Sequence, residues 1–144
     1  MRILVDGDAC PDKAYIKELA FLYQIEMIIF TDYAHSIDEK EYQVRLCEIG
    51  KDSVDMVLIR EVQPKDIVIT QDYGLASLVL SKGARVLHVS GMIIDQSNID
   101  GLMLQRFIGY KQRRKDKHLK GPRKRTENQR DKFLGQLKKL IEEK

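Results

Sequence analysis

Apolar residues follow two patterns along this chain, short solid runs and helical stripes. Residues 2–6 (RILVD), 26–31 (EMIIFT), 66–70 (DIVIT) and 85–89 (RVLHV) are compact runs. Their length and β-branched content predict strands, and solid runs suit parallel strands buried on both faces. Residues 42–49 (YQVRLCEI) alternate instead, with Tyr42, Val44, Leu46 and Glu48 on one face, and read as a further strand. Between the runs the period changes. Ile16, Leu19, Ala20 and Tyr23 fall at i, i+3, i+4 and i+7, one face of a helix that Pro11 is placed to open. Asp52 or Ser53 caps a helix reaching about Val62, where Pro64 prevents its continuation. Residues 72–82 form a helix apolar on most sides, ended by Gly83. Ser97 is the candidate cap of a helix over 97–110. Thr126 and Gln129 make a capping box for a final helix. That helix gathers Phe133, Leu134, Leu137, Leu140 and Ile141 on one face, so it should dock on the body.

Strands alternating with helices through residue 110 predict an α/β fold, a three-layer sandwich with a mostly parallel central sheet plus a C-terminal helix. The expected organisation is an α/β body over 1–110, a basic connector over 111–125, and a helix over 126–144 packed on the same domain. The length of 144 residues suits one such unit. No apolar stretch approaches the roughly 20 residues of a membrane span. After Met1 and a single basic residue, Arg2, the apolar run before Asp6 is only Ile3, Leu4 and Val5, which does not read as a secretory signal. Cys10 and Cys47 form no CxxC pair, and their bland reading is packed thiols in a reducing cytosol. His35, His88 and His118 show no metal-ligand spacing, and His35 reads as a surface-loop residue.

The net charge of +3 conceals a division. Residues 1–110 carry 11 Lys/Arg against 17 Asp/Glu, whereas residues 111–144 carry 14 against 5. Nine of the fifteen residues in 111–125 are basic, among them Arg113, Arg114, Lys115, Lys117, Lys120, Arg123, Lys124 and Arg125. Charge at that density attracts phosphate and releases counterions, which makes nucleic acid the natural partner. A solvated connector is the competing reading. Tyr110 is the only aromatic adjoining the tract, so base stacking has little support at this level.

The acidic body holds its own candidates. Asp6 ends the first strand, Asp8 follows two residues later, and Asp72 stands just past the 66–70 strand. If both strands are central and parallel, Asp6 and Asp72 share one sheet edge, and Asp55 in the first turn of its helix faces them. Ligands in such folds bind at the carboxyl ends of strands, near a switch in strand order. Clustered carboxylates repel and persist when a cation neutralises them; oxygen-only ligands favour Mg²⁺ or Mn²⁺. Each acid also has a purely structural explanation. Asp6 and Asp8 can shape a turn, Asp55 can complement a helix dipole, and Asp72 can be an N-cap.

The residues together resemble the bacterial YaiI/YqxD family (UPF0178, DUF188), usually placed among PIN-like domains. Residues 5–11 (VDGDACP) look like the family's VDADACP signature, with Gly7 in place of alanine. Residues 50–55 (GKDSVD) look like its GxDxxD helix start, and residues 70–76 (TQDYGLA) like its TxDxxLA segment. Lys82-Gly83-Ala84, Gly121-Pro122, Asp131 and Phe133 follow in the same order. The match spans nearly the whole chain. Where the family often has an Asn-Pro-Arg-Gly or Asn-Arg-Gly turn, His88-Val89-Ser90-Gly91 keeps only the glycine. Before the C-terminal proline, Lys120-Gly121 stands where many members have two glycines.

The resemblance to PIN-like domains implies a metal-dependent nuclease site. Asp6, Asp55 and Asp72 would be its core acidic set, joined by Asp8 and Asp52. The leading expectation is therefore a cytosolic Mg²⁺- or Mn²⁺-dependent nuclease acting on RNA. Asp6, Asp8 and Asp72 would ligate metal, Asp55 would ligate it or orient water, and the basic tract would hold the backbone. Two rivals stand beside it. Asp6-Gly7-Asp8 also resembles the DxD of haloacid-dehalogenase-type phosphohydrolases, with Asp6 as nucleophile and Asp8 as acid/base. A non-catalytic RNA-binding protein keeps the basic tract and leaves the acids structural.

Overall fold

The computed structural model describes residues 1–7, 10–32, 44–47, 53–115 and 126–143. Its elements, in chain order, are β1 (Arg2–Asp6), α1 (Lys13–Leu22), β2 (Glu26–Asp32), β3 (Val44–Cys47), α2 (Ser53–Glu61), β4 (Ile67–Ile69) and α3 (Tyr73–Ser81). There follow β5 (Arg85–Leu87), β6 (Ile93–Ile94), α4 (Ile99–Lys115) and α5 (Glu127–Glu142). The strands form one sheet in the order β3-β2-β1-β4-β5-β6. All neighbours pair in parallel except β5 and β6, which are antiparallel.

Alternation along the solid apolar runs explains the three layers. Successive side chains of a strand point to opposite faces. Ile3, Val5, Ile29, Ile67 and Ile69 therefore join Ile16 and Ala20 of α1 and Phe133, Leu137, Leu140 and Ile141 of α5. Leu4, Ile28, Phe30, Val68 and Val86 face the other way, onto Leu58 of α2, Leu75 and Val79 of α3 and Ile99 of α4. Both faces are covered, as a parallel sheet requires. The apolar stripe of α5 does dock on the body, and Thr126 with Gln129 does form the capping box.

The strand beginnings are clamped by a pair that the apolar pattern did not reveal. Asp66 is almost fully buried and receives the Arg2 guanidinium at 2.8 Å, the Arg2 backbone N–H at 3.0 Å and the Gln63 N–H at 2.9 Å. The hydrogen bond to Asp66 pushes the Arg2 pKa up from its already high value. A carboxylate this deep persists because it is both paired and hydrogen-bonded.

Four expectations change. Helix α1 starts at Lys13, two residues after Pro11, and Asp12 is its N-cap residue without a side-chain capping bond. Strand β6 is new, because two residues are too few to show a period. Helix α4 starts at Ile99 rather than Ser97, whose backbone N–H and hydroxyl both donate to Asp95. Helix α4 also continues to Lys115, so the first third of the expected connector is helical. Among the described residues no helix is long and apolar enough to cross a membrane.

Candidate active site

From β1 the chain steps to β2 and β3 on one side, and later to β4 and β5 on the other. The switch point thus lies between β1 and β4, where a crevice opens at the carboxyl ends of the strands. Asp6 is the last residue of β1, and Thr70 and Asp72 follow β4. The register places Val5 beside Ile69, so the two strands end side by side.

Thr70 joins the two acids. Its hydroxyl donates to Asp6 Oδ2 at 2.9 Å and accepts the backbone N–H of Asp72 at 3.0 Å. Asp72 is the N-cap of α3, its Oδ1 accepting the Leu75 N–H at 3.1 Å. The structural role expected of Asp72 is therefore real, and it coexists with a place in the cleft. Asp6 is 9% exposed and Thr70 1% exposed, so their link is shielded from water, whereas Asp72 is open to solvent.

Asp6 and Asp72 border a cleft of about 670 Å³. One side is Asp6 with Gln71, Asp72, Tyr73 and Gly74 at the start of α3. The other is α4, through Met103, Arg106, Phe107 and Tyr110. The first turn of α3 adds the positive end of a helix dipole. The Arg106 guanidinium stands over the Tyr73 ring at 5.8 Å from its centroid, and Tyr73 in turn meets His88 at 5.9 Å. The cleft thus sets carboxylates on one side against a cation and aromatic rings on the other.

The predicted acids do not all converge here. Asp55 lies half-buried in the first turn of α2 and is not among the residues lining the cleft. Asp8 and Asp52 lie outside the described residues, as do His35, Lys117, Lys120, Arg123, Lys124 and Arg125. Among the described residues no three His, Cys, Asp or Glu side chains form a group that could hold a metal ion. Asp6 and Asp72 both line the cleft, and a donor set of carboxylate oxygens is of the kind Mg²⁺ or Mn²⁺ takes and not that of a closed zinc site.

Sequence reasoning missed Thr70, Tyr73, Arg106 and Phe107. Thr70 was legible as a strand end and as the first residue of the TxDxxLA-like segment, without a role of its own. The signal for the α4 side was present, since Met103, Phe107 and Tyr110 fall at i, i+4 and i+7. Such a stripe reads as core by default; here Met103 is 41%, Phe107 55% and Tyr110 54% exposed.

A family model described as "Uncharacterized BCR, YaiI/YqxD family" (DUF188) matches residues 4–143. The chain is similar to a UPF0178 protein of Natranaerobius thermophilus, 40% identical over 142 residues that cover 98% of this chain and 96% of the relative. It is similar also to a UPF0178 protein of Clostridium tetani, 46% identical over 88% of this chain and 87% of that one. A third, from Clostridium novyi, is 38% identical over 98% of this chain and 95% of its own length. No solved structure matches the chain.

Proposed function

The chain belongs to the YaiI/YqxD (UPF0178) family, and from that premise we propose that it is a divalent-metal-dependent nuclease cleaving RNA phosphodiesters. One observation carries the reading. Asp6 and Asp72, held through Thr70 at the switch point of the sheet, line the same cleft as Arg106. The resemblance to PIN-like domains supports it as an analogy of fold and motif.

The chain's own groups have separable roles. Asp6 and Asp72 would hold Mg²⁺ or Mn²⁺, with Asp8 as a further ligand. When bound, the metal supplies a more acidic water and neutralises charge on the phosphate. Arg106 would meet the anionic substrate from the α4 side of the cleft and offset the charge that develops on phosphate oxygens. Arg113, Arg114 and Lys115 continue the helix that forms this wall, and with the rest of the tract they would bind the nucleic-acid backbone.

The test is Mn²⁺ calorimetry beside an RNA cleavage assay on wild type, Asp6→Asn and Asp72→Asn. Saturable Mn²⁺ binding and metal-dependent cleavage in wild type, both lost in the two variants, are expected. Metal-replete wild type that leaves varied RNA intact overturns the reading. One alternative is a non-catalytic RNA-binding protein, favoured by the nine basic residues among the fifteen of 111–125. That alternative predicts RNA affinity unaffected by Asp6→Asn and no cleavage under any metal. Hydrolysis of small phosphate esters without RNA cleavage would instead indicate a phosphohydrolase using Asp6 as nucleophile.

A further inference from the structure

We infer that the protein has a second small-molecule site, at the opposite end of the sheet from Asp6 and Asp72. It takes an amphipathic anion, an apolar body carrying one acidic head group. A cavity of about 520 Å³ lies at the amino-terminal ends of the strands, where Ile25 leads into β2, Lys65 precedes β4 and Arg85 opens β5. The length of β1 sets it about 15 Å from the carboxylate cleft, and it does not rest on the nuclease reading. Its volume is that of a small-ligand site. Tyr23, Ile25 and Ile141 give it apolar walls, and its charged side chains are Lys65, Arg85 and Glu143, an excess of positive charge.

The cations are held in place but not neutralised. Arg85 Nη1 donates to the Leu140 carbonyl at 2.6 Å and to that of Glu143 at 3.3 Å, and Nη2 donates to the Lys65 carbonyl at 3.1 Å. These bonds fix the guanidinium between the end of α5 and the turn before β4. Its Nε is buried without a hydrogen-bond acceptor. All three acceptors are neutral, and the carbonyl end of α5 offsets only part of the charge. Arg2, at the same edge of the sheet, pairs with Asp66, whereas among the described residues no carboxylate pairs with Lys65 or Arg85. The backbone adds a second observation. Gln24 and Lys65, at φ +56° and +73°, are the only non-glycine residues with positive φ among the described residues, and both line this cavity. Glycine or asparagine would take either position at less cost. Long polar side chains kept in the left-handed region beside one cavity point to a ligand that uses them. Lys65 and Gln24 are exposed at the rim, where they would meet the acidic head, and the apolar body would lie on Ile25 and Ile141. A polyanion fits poorly, since Glu143 and the carbonyl end of α5 border the same opening.

The test titrates the full-length chain with 8-anilinonaphthalene-1-sulfonate, an aromatic body with one sulfonate, and reads its fluorescence. One saturable site with a Kd of about 10–100 μM is expected. Octanoate at millimolar concentration should displace the probe, and 1-octanol at the same concentration should not. Lys65→Glu should weaken binding about tenfold, and Lys65→Asn, which suits the left-handed backbone, about two- to fivefold. Lys65→Arg should bind as the wild type does. Urea denaturation separates a lost site from a lost fold, and Lys65→Asn carries the comparison if Lys65→Glu does not fold. The absence of a saturable site, equal displacement by octanoate and 1-octanol, or unchanged affinity in folded Lys65→Glu and Lys65→Asn overturns the inference. So does probe binding that is lost in Arg106→Gln and kept in Lys65→Glu, which would place the probe in the carboxylate cleft. Probe affinity that falls as the chain associates with itself at higher protein concentration would make a second copy the occupant, and overturns it too.

Discussion

At the scale of single residues the decisive group is a hydroxyl. Thr70 touches both Asp6, through its donated hydrogen bond, and the backbone of Asp72, through its accepted one. Valine has nearly the same shape and neither capacity. Thr70→Val should therefore leave the packing of the β4 end intact and remove one partner from a buried carboxylate and one from an amide. The expected stability loss is about 1–3 kcal/mol in urea denaturation. If the two acids hold metal, the loss of a group that orients them should weaken Mn²⁺ binding by about 10- to 100-fold. Calorimetry on Thr70→Val beside Thr70→Ser checks this, with serine restoring affinity. Retained Mn²⁺ affinity in Thr70→Val would show that the hydroxyl only supports the strand end.

Two elements, the β5–β6 turn and α5, show what the sequence makes legible and what it hides. In the turn, Gly91 donates to the His88 carbonyl at 2.9 Å, and His88 donates to Met92 at 2.9 Å, closing a three-residue hairpin connection. Gly91 sits at φ +94°, and a Cβ there would lie 2.9 Å from the backbone nitrogen of Phe133 in α5. Both constraints demand glycine. Gly91→Ala should cost about 2 kcal/mol or more, from left-handed strain and displacement of α5 together; urea denaturation measures it. The glycine was readable from the chain, whereas its contact with α5 was not, because 42 residues separate Gly91 from Phe133. The same holds elsewhere. The strands and α2, α3 and α5 were readable because solid runs and i, i+3, i+4 stripes are local signals. Strand β6 and the Arg2–Asp66 clamp depend on tertiary partners, and the extension of α4 over 111–115 (KQRRK) has no apolar stripe to announce it. The switch point was readable as a consequence of alternating elements, and the second side of the cleft was not, since its exposed stripe imitates a core face. Helix α5 is also tied to α1 by the Tyr23 hydroxyl, which donates to Glu142 Oε1 at 2.6 Å. That bond to a carboxylate pushes the phenol pKa above its ordinary 10.0. The folded state therefore holds this proton more tightly than the unfolded one. The stabilisation is complete below pH 10 and is lost as pH rises through the higher folded value. Tyr23→Phe should remove that alkaline decline from the stability profile, and equal decline in both proteins would exclude the tether as its cause.

At the scale of the molecule the distribution of charge governs encounter with a polyanion. An acidic body alone would repel RNA from a cleft that contains Asp6 and Asp72. The Lys/Arg-rich segment begins on α4, directly after Tyr110 at the cleft, and if RNA is the ligand its attraction starts there. Attraction of this kind comes from counterion release and carries a measurable signature. For single strands, log K falls with log[salt] with a slope near −0.7 per phosphate neutralised. Replacing Arg113, Arg114 and Lys115 together by glutamine should make the slope shallower by about 2 and weaken binding most at low salt. Anisotropy titrations of one single-stranded 12-mer RNA across a series of KCl concentrations measure that slope. If the triple substitution leaves it unaltered, these three charges do not reach phosphate, and the electrostatic grip belongs to the remaining cations, Arg106 and Lys111 at the cleft and the basic residues of 116–125.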